Sequence, residues 1–345
     1  MKVHYQIREM HTVVPFGITR GTTSKVNNLF LEIEEGIGEA APTKFFHDTL
    51  DKTLGDIANV ISALGDDPFQ IDEILRRVSS HSDSRILRTA VDIALHDLVA
   101  KRLNIPLYQL FGLSALRAPQ TSFTIGISET EDMIKRAIAV KQYPILKIKL
   151  GGPDDMNVMR KIREALPHHT LRVDCNSGWK SKDAIRFIDE LTELKVEFVE
   201  QPLPPEDIDG LKKIFKESKL PIFLDESVRE SSDIPKVAGY CHGVNIKLMK
   251  TGGLREAIRM IYTARAHGLQ IMLGCMLESS VAITAAAHIS PLVNYADLDG
   301  HLLLADDPYI GMTLDHGWIH LPDTPGLGVQ PKKSNHDKGI VIEVA

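Results

Sequence analysis

The chain is poor in features that would tie it to a membrane, a nucleic acid or an oxidising compartment. Three cysteines occur in 345 residues, Cys175, Cys241 and Cys275. Their number is odd and no CxxC spacing is present, so neither a disulfide framework nor a thiolate zinc site is expected. No apolar run approaches the length of a membrane span. The start, MKVHYQIREM, alternates polar and apolar residues where a secretory signal would carry an apolar core. Lys and Arg are dispersed along a chain of net charge -6, which leaves no electrostatic footprint for a nucleic-acid backbone or an anionic membrane. Low-complexity segments are absent. These exclusions leave an expected cytoplasmic protein with a small-molecule partner. A homo-oligomer is compatible with the sequence and not specified by it.

What is present describes an ordered chain with a full core, 43% hydrophobic and 25% charged. Residues 3–9 and 26–33 read as strands, and the turn at Glu34, Glu35 and Gly36 leads into GIGEAAP, so the N-terminus is expected to form a small antiparallel sheet. Helical patterns run from about 46 to 111. In AVDIALHDLVAKRL the residues Val91, Ala94, Leu95, Leu98 and Val99 recur at helical spacing, and Ile105-Pro106 ends the run.

From Thr121 the pattern changes to short apolar strands alternating with amphipathic helices: TSFTIGI, ILKIKL, LRVD, EFVE, IFLD, GVNIKL, IMLG and YADLD. The steps are regular, 25 from Lys149 to Asp174, 26 to Glu200, 25 to Asp225 and 22 to Lys247. A strand of about 5 residues, a helix of about 11 and two short loops fill such a period. Eight units predict a (β/α)8 barrel of the TIM type. Helix starts are expected at a Ser128–Glu131 capping box, at first-turn prolines Pro153 and Pro205, and at Ser181 as an N-cap. The chain divides into an α+β segment 1–115, a barrel 116–314 and a tail 315–345. The strand-like GIVIEV of the tail returns to the N-terminal sheet.

Three successive strands end in acids: Asp174, Glu200 and Asp225. In a barrel these ends are neighbours on the face where active sites form. A single strand-end acid is usually a helix N-cap, but three converging carboxylates repel one another unless a cation lies between them. Oxygen ligands without His or Cys suit Mg²⁺. Lys147 and Lys149, two apart, share one side of their strand, and Lys247 ends the strand after Asp225. A lysine among Ile, Leu and Val is costly to bury, so each needs a carboxylate partner or a task. Lys147 would support Lys149 as a general base by disfavouring a second positive charge beside it. The matching chemistry is abstraction of a proton α to a carboxylate. That step leaves a doubly charged enediolate, which a cation stabilises. Lys149 and Lys247, four strands apart in a ring of eight, would stand on opposite faces of the substrate and invert its centre.

KIK at 147–149, DCNSGW at 174–179, VEQP at 199–202, DES at 225–227, NIKLMKTGG at 245–253 and DLD at 297–299 together resemble the muconate-lactonising subgroup of the enolase superfamily. The helix AVDIALHDLVAKRLNIPLYQLFG resembles that family's helix leading into the barrel. The resemblance implies an α+β capping domain, built from the N-terminal region and the C-terminal tail, closing over the barrel mouth. Within the subgroup, Asp297 and Asp299 resemble the D-x-D signature of dipeptide epimerases such as the L-Ala-D/L-Glu epimerases. By that likeness they bind a substrate ammonium group, Thr124, Lys147, Cys275, Met276 and Leu277 contact substrate, and Asn176 and Glu226 support the metal ligands. Departures are Cys175 and Ser177 within the DxNxGW motif, and Arg20, which stands one place off the loop arginine associated with a Glu side chain. Cys175 reads as a small buried hydrophobe, His288 and His301 as structural, and Glu278 equally as a metal neighbour or a helix cap. The implied function is Mg²⁺-dependent epimerisation of a dipeptide. The alternatives are a muconate-type cycloisomerase or o-succinylbenzoate synthase using the same metal and lysines, and, from another class, a non-catalytic ligand-binding barrel.

Overall fold

The computed structural model describes residues 1–43, 46, 48–333 and 340–344. Its first unit is an antiparallel sheet of β1 (Val3–Ile18), β2 (Gly21–Ile33) and β3 (Gly36–Ala40), followed by helices α1 (Leu50–Ser62), α2 (Ile71–His81), α3 (Arg85–Arg102) and α4 (Leu107–Leu110). The Ser84 hydroxyl caps α3 by accepting from Leu87 N, and apolar residues bury nearly all its faces. It packs flat on β3 because Gly36 and Gly38 carry no side chain: a Cβ on either would collide with the Ala94 or Ala90 carbonyl. The two expected strands are longer than their sequence pattern. β1 and β2 pair from Val3↔Ile33 to Ile18↔Gly21 with an irregularity between His11 and Phe16, forming a hairpin that projects from the sheet.

The barrel alternates β4 (Phe123–Ile125), α5 (Thr130–Ala139), β5 (Ile145–Lys149), α6 (Asp155–Ala165), β6 (Thr170–Asp174), α7 (Ser181–Glu193), β7 (Val196–Glu200) and α8 (Ile208–Glu217). It continues through β8 (Ile222–Leu224), α9 (Ile234–Val237), β9 (Gly243–Lys247), α10 (Leu248–Thr251), α11 (Leu254–Ala266), β10 (Gln270–Gly274), α12 (Ser280–Ile289) and β11 (Tyr295–Asp297). All eight expected strands form one parallel sheet in chain order, β4 to β11. The ring closes through a parallel bridge between Thr121 and Ala296, where Ser122 N donates to the Ala296 carbonyl. The barrel floor is filled by Phe198, Phe223 and Met272 against Tyr295, with the Arg172 guanidinium stacked on Phe198 and Tyr295.

Beyond the barrel lie β12 (Tyr309–Ile310), β13 (Thr313–Asp315), β14 (Trp318–His320), β15 (Gln330–Pro331) and β16 (Ile340–Val344). The β13–β14 hairpin meets the start of the first barrel strand, where Thr121 N donates to the Gly317 carbonyl. β16 pairs antiparallel with β1, so the tail does return to the N-terminal sheet; Gly339 of the GIVIEV run lies outside the described residues.

The helix starts differ from expectation. α5 begins at Thr130 after an N-cap Glu129 with no side-chain cap, and the Ser128 hydroxyl finds no partner among the described residues, so the capping box does not form. Pro153 and Pro205 lie before their helices, in loops. The loop before α6 is organised by the Asp155 carboxylate, which accepts from Gly151 N, Gly152 N and Trp179 Nε1. Ser181 is already helical, and its hydroxyl donates to Asp207 at the start of α8. Among the described residues no helix is long and apolar enough to cross a membrane.

Candidate active site

Asp174 ends β6, Glu200 ends β7 and Asp225 directly follows β8, and one oxygen from each lies within 4.8 Å of the others. All three are buried. Each carboxylate has one oxygen held from behind. Asp174 Oδ1 accepts from Asn176 N at 2.9 Å, Glu200 Oε1 from Asn245 Nδ2 at 2.7 Å, and Asp225 Oδ1 from Lys250 Nζ at 2.5 Å. Gln201 Oε1 accepts from Asp225 N at 2.9 Å and fixes that loop's backbone. The second oxygen of each faces the centre. Asp174 Oδ2 lies 2.6 Å from Lys149 Nζ and 3.1 Å from Lys147 Nζ, and Asp225 Oδ2 lies 2.7 Å from Lys247 Nζ. Glu200 Oε2 is 2.7 Å from Lys147 Nζ but receives no aligned hydrogen bond.

Burial disfavours charge on all three acids. Lys149, Lys147 and Lys247 nevertheless hold Asp174 well below the usual carboxylate range, and Lys247 and Lys250 do the same for Asp225. Glu200, buried beside the charge of Asp174, is pushed up to about 7. Three inward oxygens, one of them without a hydrogen bond, form a donor set for a hard divalent cation. Mg²⁺ fits it, because three single-oxygen ligands leave three octahedral positions for water or substrate oxygens. Among the described residues this is the one cluster of at least three such groups close enough to share an ion.

Lys149 on β5 and Lys247 on β9 are separated by β6, β7 and β8 and so stand across the ring from each other. Burial opposes the charge of Lys247, yet Asp225 raises it above the ordinary lysine range. Lys147 is fully buried and touches Asp297 at 2.6 Å, Glu200 at 2.7 Å and Asp174 at 3.1 Å. Its positive charge is therefore matched by carboxylates on three sides and held firmly, against its burial.

β11 ends at Asp297, so strand alternation does not reach Asp299, which opens a short 3-10 turn. Both carboxylates still turn toward the first barrel strand. Asp297 accepts from Ser122 Oγ at 2.7 Å and from Lys147, and Asp299 Oδ2 accepts from Thr124 N at 2.6 Å. Burial and the neighbouring Asp297 push Asp299 up to about 7. Of the expected 275–277 contacts, Cys275 is partly exposed, Met276 N donates to Glu278 Oε1, and the Leu277 carbonyl accepts from Asn28 Nδ2. Glu278 closes its own loop rather than joining the metal cluster, and burial raises it to about 8. His288 bridges Tyr108 N and the Leu327 carbonyl, and burial lowers it to about 4. Among the described residues the partly buried His301 ring finds no hydrogen-bond partner for Nδ1. Cys175 is fully buried, and burial raises its thiol far above its ordinary value.

The β1–β2 hairpin lies over the mouth. The Thr19 hydroxyl bonds the carbonyls of Leu150 (3.1 Å) and Cys175 (2.9 Å), and Arg20 Nη1 reaches the Asn176 carbonyl and Glu226 Oε1, each at 2.9 Å. Asn176 and Glu226 therefore join loop to hairpin as well as flanking the acids. Asn176, Ser177 and Gln201 adopt left-handed backbone around the site. Sequence reasoning missed Lys250, Asn245, Gln201 and Thr19. Lys250 and Asn245 were visible beside Lys247 as polar residues spaced among Ile246, Leu248 and Met249.

Comparison with known proteins agrees with this geometry. Residues 2–112 match the mandelate racemase / muconate lactonizing enzyme N-terminal domain, and residues 129–335 match the family described as enolase C-terminal domain-like. The chain is 39% identical over 335 residues to an L-Ala-D/L-Glu epimerase of Bacteroides thetaiotaomicron, covering 94% of this chain and 86% of the relative. It is 40% identical over 332 residues to a hydrophobic dipeptide epimerase of a Flavobacteria bacterium, covering 92% and 95%. The crystal structure of a Cytophaga hutchinsonii dipeptide epimerase complexed with Mg and D-Ala-L-Val superposes with a TM-score of 0.94 at 28% identity, covering 99% of this chain and 98% of that one. Across both of its units, this chain belongs to the mandelate racemase / muconate lactonizing enzyme family of the enolase superfamily.

Proposed function

We propose that this protein is a Mg²⁺-dependent dipeptide epimerase that inverts one α-carbon by moving its proton between two lysines. The observation that carries the reading is the buried triad Asp174, Glu200 and Asp225 flanked across the barrel by Lys149 and Lys247. The named relatives and the liganded structure support the same activity. Bound Mg²⁺ supplies positive charge to a substrate carboxylate and so lowers the cost of removing the adjacent proton.

The residues divide the remaining work. Lys149 and Lys247 face the substrate from opposite sides, one taking the α-proton while the other delivers one to the other face. A base must give up its proton before it can accept one. Asp174 and Asp225, which hold the ammonium groups of Lys149 and Lys247, would also hold the cation, and sharing their charge with it would loosen their grip on the two lysines. Lys147 is a fixed cation holding Asp174, Glu200 and Asp297 in register. Asp299, tied to the backbone through one oxygen, offers the other to the substrate's ammonium group, with Asp297 shared between that group and Lys147. Cycloisomerase and synthase substrates carry no ammonium for this pair. Residues 1–115 with the strand 340–344 form the cap, and its hairpin keeps water from the reacting carbon.

A dipeptide library incubated with enzyme and Mg²⁺ in D₂O tests the reading, since each turnover leaves one deuterium at the α-carbon. Incorporation that stops on chelation and in Asp225→Asn is expected. Undiminished turnover in chelated enzyme overturns it.

A further inference from the structure

Lys250 and Asn245 lie behind the carboxylates, on the oxygens turned away from the centre. Lys250 is fully buried, and its three N–H donors meet three acceptors: Asp225 Oδ1 at 2.5 Å, the Asp225 carbonyl at 2.6 Å and the Asn245 carbonyl at 2.8 Å. Asn245, also fully buried, gives its side-chain amide to Glu200 Oε1 at 2.7 Å. Burying an ammonium is costly, and an apolar residue of similar volume would fill the space at less expense, so a specific task is implied. Both residues do one thing in common. Each occupies the outer oxygen of a strand-end carboxylate and leaves the inner oxygen alone to face the centre.

We propose that Lys250 and Asn245 set the metal preference of the site, restricting Asp225 and Glu200 to single-oxygen coordination and so favouring Mg²⁺ over Ca²⁺. The inference rests on the reading of the triad as a metal site. Mg²⁺ demands near-ideal octahedral geometry, which single oxygens provide. Ca²⁺ takes six to eight oxygens and gains from carboxylates that offer both. A carboxylate freed from its outer partner can rotate and present two oxygens to the larger ion. The third ligand is held by a backbone donor, Asn176 N, so Lys250 and Asn245 are the side chains through which the preference can be altered. The charge of Lys250 repels both divalent ions alike. Its removal shifts both affinities together, and the effect cancels in their ratio.

The test measures Mg²⁺ and Ca²⁺ dissociation constants by calorimetry on the full-length, chelator-treated protein, as wild type, Lys250→Met and Asn245→Ala. In each variant the affinity for Ca²⁺ relative to Mg²⁺ is expected to rise, by about tenfold if the ratio moves as far as a single metal's affinity does when a partner behind a ligand is lost. Asn245→Ala changes no charge and removes a single amide, so it decides the matter if Lys250→Met does not fold. An unchanged ratio in Asn245→Ala, or in folded Lys250→Met, overturns the assignment while the metal site stands. A wild type that binds neither ion overturns the metal reading and this inference with it.

Discussion

Replacing Asp299 by Asn separates recognition of the substrate's free end from the proton transfer itself. The Asp299 carboxyl is buried and bonded through Oδ2 to Thr124 N, and among the described residues no lysine pairs with it directly, so an Asn in its place can keep the shape and lose the charge. A charge-assisted hydrogen bond to a substrate ammonium contributes roughly 1.5–3 kcal/mol, which corresponds to a loss of about 10- to 150-fold in kcat/KM for a free dipeptide. An N-acetylated dipeptide carries no such charge. It should therefore react slowly with wild type and no more slowly with Asp299→Asn. The assay is a two-by-two comparison of kcat/KM, free against acetylated substrate and wild type against variant, from which the coupling is read directly. Asp297→Asn serves as the contrast, because it also takes one of three carboxylates from Lys147 and should slow the acetylated substrate as well as the free one. If Asp299→Asn lowers both substrates by the same factor, the carboxylate does not recognise the ammonium and the assignment is wrong.

Lys149→Ala and Lys247→Ala should each abolish epimerisation while keeping α-proton exchange from one configuration only, opposite in the two variants; retention of wild-type epimerisation in either would refute the two-base scheme. Glu278 has its acidity weakened by burial to about 8 against an ordinary value of 4.5. The folded state therefore binds its proton more tightly than the unfolded chain, and stability present below 4.5 is lost as pH rises toward 8. Thermal midpoints of Glu278→Gln should gain on wild type across that window, and parallel curves would argue against the shift. Gly38→Ala drives a methyl into the backbone of α3 and should cost about 1–3 kcal/mol, read from denaturant midpoints, with a neutral result showing that the sheet–helix spacing relaxes freely.

The barrel was legible because each strand is a short apolar run and the intervals repeat, and the triad because acids end three successive strands. The reach of the β1–β2 hairpin was not. Residues 10–25 mix glycine, threonine and proline across an irregularity, so period-2 alternation fades although pairing continues. Their purpose exists only once the 150 and 175 loops, far away in sequence, are brought beneath Thr19. Helix starts misled for a related reason. Ser181 has the chemistry of an N-cap, but the loop's course turns its hydroxyl to Asp207. Lys250 escaped because attention to strand ends passes over a lysine in the first turn beyond one. Asp297 and Asp299 read as an equal pair, and only the fold separates them by setting Lys147 against the first.

The pairing of β16 with β1 gives the molecule a late step in its own assembly. β1 is followed directly in the chain by its partner β2, but its other edge stays open until residues 340–344 have been made. Throughout synthesis of the barrel, Val3, Tyr5 and Ile7 offer unpaired backbone along that edge, which is the kind of surface on which nascent chains stick to one another. Deleting residues 340–344 should accordingly show first as lost yield and clumping during expression. Whatever enzyme survives purification would still carry an intact set of barrel residues.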